Sequence, residues 1–103
     1  MIRVTAMYPQ GGKFDAEYYV KKHMPLVAEK TGAALLKWEY DKGVAGAVPG
    51  QPAPYVAAGH MYFNSLPEFM QAMGPHMGVI LADIPNFTDQ TPTLQIAEIV
   101  VGG

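Results

Sequence analysis

The chain contains no cysteine. That excludes a disulfide framework and any thiolate metal site. Charge is scarce too. Asp, Glu, Lys and Arg together make up 16% of the residues, and the formal net charge is −2. So weak a balance gives no electrostatic footprint for nucleic acid or for an anionic membrane surface. No apolar run approaches the roughly 20 residues that a membrane span needs. Phosphate-cradling glycine loops, dinucleotide fingerprints and nucleophile elbows are absent as well, so no cofactor is expected. The chain opens directly on a strand-like segment rather than on a leader, and a cytoplasmic protein is the expectation.

What is plentiful is apolar surface. Half of the 103 residues are aliphatic or aromatic. The length fits one domain, 1–103. A domain of this size hides only roughly 60–68% of the surface its unfolded chain exposes. The surplus calls for an interior cavity or a subunit interface.

Hydrophobic periodicity gives the elements. Ile2, Val4, Ala6 and Tyr8 alternate with Arg3, Thr5 and Met7, a strand of period two. Residues 15–31 read as an amphipathic helix, with Asp15 as N-cap and Gly32 as C-terminal stop. Its apolar face collects Ala16, Tyr19, Val20, His23, Leu26 and Val27. Pro25 should kink or loosen this helix near His23. A second strand is expected over 33–41 and a third over 55–63. Between them, 42–54 is a Gly/Pro-rich loop, either a lid or a plain connection. Ser65-Leu66-Pro67-Glu68 is a capping box that opens a second helix, with Leu66, Phe69, Met73 and Met77 on one face. Gly74-Pro75 should interrupt it, with a short helical turn over 76–84 and a last strand over 93–101.

The order β-α-β-β-α-β predicts an α+β, ferredoxin-like domain with a four-stranded antiparallel sheet. Helices cover one face of such a sheet. The strands carry Met, Val, Ile and aromatic residues on both faces, which predicts that the second face is buried against another copy. A homodimer is therefore expected.

Three histidines are candidates for chemistry. His23 sits in the apolar helix face, so it is either a core histidine with a hydrogen-bonded ring or a site residue. His76 follows a helix interruption, where a side chain is easily placed in a cleft. His60 lies on a strand and is assigned to structure or to the interface. No spacing of these residues makes a metal signature, and no metal site is expected. Asp83 follows an apolar run and could orient a histidine or cap the following turn. Tyr8, Tyr19, Trp38 and Phe87 supply aromatic walls suited to a flat, mostly apolar ligand.

Two motifs carry a family resemblance. Phe14-Asp15-x-x-Tyr18-Tyr19-x-x-x-His23-x-Pro25-Leu26 resembles the signature of the EthD family, and so does Ala82-Asp83-Ile84-Pro85-Asn86-Phe87-Thr88-Asp89. The resemblance spans essentially the whole chain. It implies a dimeric α/β barrel built from two ferredoxin-like subunits, in a setting of ethyl tert-butyl ether degradation. It also implies motif roles for His23, Tyr19 and Asp83. Pro75-His76-Met77-Gly78 is similar, with altered Pro–His spacing, to a Pro-x-His-x-Gly segment of stress-responsive dimeric barrels that include a polyketide cyclase. That similarity carries an acid–base role to His76.

Two functions compete. One is cofactor-independent acid–base chemistry of cyclase, isomerase or monooxygenase type on a small apolar or aromatic molecule. Its catalytic residues would be His23, His76 and Asp83, and its ligand-binding residues Tyr19, Asn86, Phe87, Tyr8 and Trp38. The other is a non-catalytic accessory or carrier protein for an oxygenase pathway. Haem binding through His76 ranks below both.

Overall fold

The computed structural model describes residues 1–102. Strand β1 is Ile2–Pro9. Helix α1 is continuous over 16–31, β2 is Lys37–Lys42 and β3 is Tyr55–Phe63. Helix α2 is Leu66–Met73, α3 is Met77–Asp83 and β4 is Thr93–Glu98. The sheet order is β2-β3-β1-β4, with every neighbouring pair antiparallel. This is the ferredoxin-like arrangement that the element order predicts.

Local signals set the helix ends. The Asp15 carboxylate accepts from the Tyr18 N–H at 3.1 Å. Ser65 Oγ accepts from the Glu68 N–H at 3.3 Å. Gly32 ends α1 at φ +62°, a left-handed conformation that favours glycine.

Helix α1 does not break at Pro25. Its middle, Tyr19–His23, widens into a π-helical stretch closed by the Met24 N–H on the Tyr19 carbonyl. Proline has no N–H to give the carbonyl four residues back, and its ring crowds that carbonyl. A widened preceding turn relieves both problems. The extra residue in the turn also changes which side chains face inward. Met24 is buried at 1% exposure, whereas Val20, expected inside, is 38% exposed. Ala16 is likewise exposed.

Other boundaries shift. Residues 32–34 form a 3₁₀ turn, so β2 starts only at Lys37. Strand β4 ends at Glu98, short of residue 101. Leu66, expected on the buried face of α2, is exposed at the first position of that helix.

One face of the sheet holds the core. Ile2, Val4, Ala6 and Tyr8 of β1 pack against Met24 and Val27 of α1, with Phe69 and Met73 of α2 in the same cluster. The opposite face corrects the sequence expectation, because it is polar rather than apolar. Cross-strand register places Arg3, Thr5, Glu39, His60, Tyr62 and Gln95 there. Thr5 Oγ1 lies 3.1 Å from His60 Nδ1, and His60 Nε2 lies 2.7 Å from Asp41 Oδ2. The Tyr62 hydroxyl donates to Glu39 at 2.6 Å. Alternation separates the two faces within one strand; which sets share a face across the sheet is fixed by the register between strands.

The exposed apolar surplus lies elsewhere. Leu94 and Ile96 on β4, Met70 on α2 and Leu81 on α3 are each 45–58% exposed. These four side chains border one cavity mouth. None of the described helices is long and apolar enough to cross a membrane.

Candidate functional site: a carboxylate-held histidine in an apolar cavity

Between the helices and the β1–β4 side of the sheet lies a cavity of about 270 Å³. Its walls are aliphatic and rich in methionine: Met24, Met61, Met70, Met73 and Met77 all contribute. Methionine is unbranched and polarisable, and it adapts to irregular shapes. Among the described residues, the polar side chains lining the cavity are His23, Tyr8 and Tyr19. None of the described charged residues lines it.

His23 is 4% exposed. Its Nδ1 lies 2.9 Å from Asp83 Oδ2. Tyr19 stacks on the imidazole with centroids 5.4 Å apart, and Phe87 approaches to 4.6 Å. His23 lines the cavity, and with Nδ1 engaged by Asp83 its Nε2 is the nitrogen left for a ligand. Among the described residues, Nε2 makes no hydrogen bond.

Asp83 is itself held in place. The Tyr18 hydroxyl donates to Oδ1 at 2.7 Å, and Asn86 Nδ2 donates to the same oxygen at 3.0 Å. Burial alone would raise the Asp83 pKa, but the donors Tyr18, Asn86 and His23 outweigh it and hold the carboxyl below its ordinary range. Burial lowers the His23 pKa, against the opposing pull of Asp83. The pair at neutral pH is therefore a carboxylate and a neutral imidazole. An ionised carboxylate only accepts hydrogen bonds, so the proton sits on Nδ1 and the lone pair on Nε2.

Burial also pushes the Tyr8 hydroxyl up to about 12 and raises that of Tyr19. Both are hydrogen-bond donors across the physiological range. Tyr19 reaches the sheet because β3 has a glycine at 59; a Cβ there would collide with the Tyr19 hydroxyl.

The site residues expected from sequence divide into three groups. His23, Tyr8 and Tyr19 line the cavity, Asp83 and Phe87 hold or flank His23, and Asn86 donates to Asp83. Trp38 packs against the core without lining the cavity. His76 is half-buried in the turn Gly74–His76 and is not among the lining residues. The loop 43–54 is pinned to the end of β1, where Gln10 donates to the Ala53 carbonyl at 3.0 Å, and it contributes nothing to the cavity wall. Sequence reasoning missed Tyr18 as the donor to Asp83. The signal lay in Pro25: a π turn brings residues five apart, such as 18 and 23, onto one side of the helix.

The fold and site together define a class: a small ferredoxin-like α+β protein with a carboxylate-supported histidine at the wall of an apolar cavity. The EthD domain model matches residues 13–91, which span both sequence motifs, and the chain belongs to the EthD family. It is similar to an EthD-like protein from Ralstonia eutropha JMP134, at 41% identity and a TM-score of 0.91, over 99% of this chain and 94% of that one. An ethyl tert-butyl ether D (EthD) family protein from Bacillus halodurans C-125 is 23% identical, with a TM-score of 0.73, over 95% and 97% of the two chains. HapK from Hahella chejuensis is 13% identical with a TM-score of 0.60, over 100% of this chain and 96% of that one. The last two likenesses show the fold alone. No curated protein matches the sequence.

Proposed function

We propose that this EthD-family chain is a cofactor-independent acid–base enzyme acting on a small, mostly apolar molecule. His23 is its general base and Asp83 its positioning residue. The observation that carries this reading is the His23–Asp83 pair, with Nδ1 fixed at 2.9 Å on a histidine that lines a cavity without charged walls among the described residues. A neutral imidazole whose pKa lies below its ordinary value is ready to take a proton. Nε2 would remove a proton next to a carbonyl or from a hydroxyl, and the Tyr8 hydroxyl, which accepts from Tyr19, would stabilise the resulting oxyanion. The same imidazole then returns the proton at a second atom. The net change is an isomerisation or cyclisation, with no oxidant consumed. Degradation of ethyl tert-butyl ether or a related small compound is the setting that the family's name supports.

A second copy of the chain is proposed to cover the open sheet face. The resemblance to dimeric barrels supports this, as does the lack of any helix over that face. Light scattering at micromolar concentration should give twice the chain mass; a monomer would overturn the dimer.

The test of the enzyme is ligand capture. Compounds that co-purify are identified by mass spectrometry and offered back to the protein. Turnover should fall by about 10²–10⁴-fold in His23→Gln, the range expected for a lost general base. In His76→Ala it should fall less than about threefold. Unchanged turnover in His23→Gln would remove the base. Tight capture without any turnover would favour the carrier function instead.

A further inference from the structure

We infer that the cavity selects an uncharged ligand with one O–H or N–H donor at the His23 end and an otherwise apolar body. The inference rests on the reading of His23 as a cavity-facing acceptor, and it concerns recognition rather than turnover.

Three features of the site lead to it. First, Nε2 is an unpartnered acceptor. Asp83 fixes the proton on Nδ1, so the other nitrogen of this cavity-lining ring offers only a lone pair. A ligand that brings no donor leaves that lone pair buried and unsatisfied, which is costly. Second, nothing in the wall can neutralise a charge. The lining contains no Lys or Arg for an anion and no Asp or Glu for a cation. A carboxylate or ammonium would be stripped of water without a counter-charge. Third, the rest of the wall is methionine and aliphatic carbon, as at Met61, Met73, Met77 and Ile80. Such a wall fits a flat or flexible hydrocarbon body and gives further polar groups nothing to bond. Tyr8, which is protonated and accepts from the Tyr19 hydroxyl, adds a donor for an acceptor oxygen on the same head group.

The class is therefore a phenol, an enol or an alcohol-headed hydrocarbon. An intact dialkyl ether has an acceptor oxygen but no donor. Ethyl tert-butyl ether itself could meet the Tyr8 hydroxyl but would leave His23 unpaired. The alcohol released on its cleavage fits better than the ether.

The experiment is equilibrium binding by calorimetry to the full chain with three probes of one shape: 2-naphthol, 2-methoxynaphthalene and 2-naphthoate. At pH 7.5, 2-naphthol should bind about ten to a hundredfold more tightly than the methyl ether, and the carboxylate weaker than either. The preference of naphthol over its ether should shrink as acid protonates His23, at a pH below the ordinary imidazole value of about 6.5, because the protonated imidazole no longer accepts. In His23→Phe the two neutral probes should bind alike. Equal affinity of naphthol and its ether for the unmodified chain would overturn the inference, as would tighter binding of the carboxylate. The pH series on the unmodified protein decides the matter even if His23→Phe does not fold. A donor preference without turnover of any captured compound would sink the enzyme and leave the recognition rule standing.

Discussion

Asp83 Oδ2 stands 2.9 Å from His23 Nδ1, although the two residues lie 60 positions apart in the chain. The contact joins the N-terminal helix to the end of α3, and it fixes both the tautomer and the aim of the imidazole. Replacing Asp83 with Asn keeps the shape but removes the charge that holds the proton on Nδ1. Turnover of a captured substrate should drop by at least about tenfold, with the larger effect on kcat. Tyr18→Phe removes one of two donors to Oδ1 and should cost less, because Asn86 remains. If Tyr18→Phe were the more damaging change, Tyr18 would have a direct role in the chemistry.

Acid should destabilise the protein in two stages. The His23 pKa is lowered on folding, so the native state resists a proton that the unfolded chain accepts. Stability is then full above the ordinary imidazole value of about 6.5 and declines as pH falls toward the lower folded value. The Asp83 pKa is also lowered, so its contribution is present above the ordinary carboxylate value of about 3.9 and is lost as pH falls further. Thermal unfolding between pH 8 and 3 should show Tm flat at first, then falling from about pH 6.5. In His23→Phe the first decline should vanish while the second persists. A first decline of the same size in that variant would assign it to another group.

Gly59→Ala tests the seat of Tyr19. The added methyl would occupy the position of the Tyr19 hydroxyl, so the ring must move off β3. Overpacking of this kind costs about 1–3 kcal/mol. Because Tyr19 stacks on His23, the displacement should also weaken binding of a captured ligand. Urea unfolding and calorimetry on one sample report both effects. Unchanged stability would show that Tyr19 has room to spare.

Pro25→Ala restores the N–H that the helix lacks at that position. It removes the cause of the wide turn at Tyr19–His23. The expected outcome is a chain of equal or greater stability with reduced turnover, because a regular turn rotates His23 away from Asp83. Loss of stability with full activity would mean that the wide turn has another origin.

Much of the molecule was legible in the order of its residues. Period-two alternation located β3 to the residue, and the capping residues Asp15 and Ser65 marked the helix starts. His23, Asp83, Tyr19, Asn86 and Phe87 were all named from pattern and resemblance, and all lie at or beside the cavity. Trp38 and His76 were named on the same kind of signal and lie off it. A helix interruption says that a histidine can be displaced, but not in which direction.

The sequence by itself determined which elements form, because periodicity, caps and breakers act within a few residues. Only the tertiary structure decided which sheet face is polar, since that depends on cross-strand register between β1, β3 and β4 rather than on any one strand. It also decided that Met24 replaces Val20 inside, because a π turn shifts the phase of every residue after it. The His23–Asp83 contact was settled there too. It exists only once α1 and α3 pack on the same side of the sheet, and no local rule links residues 60 apart.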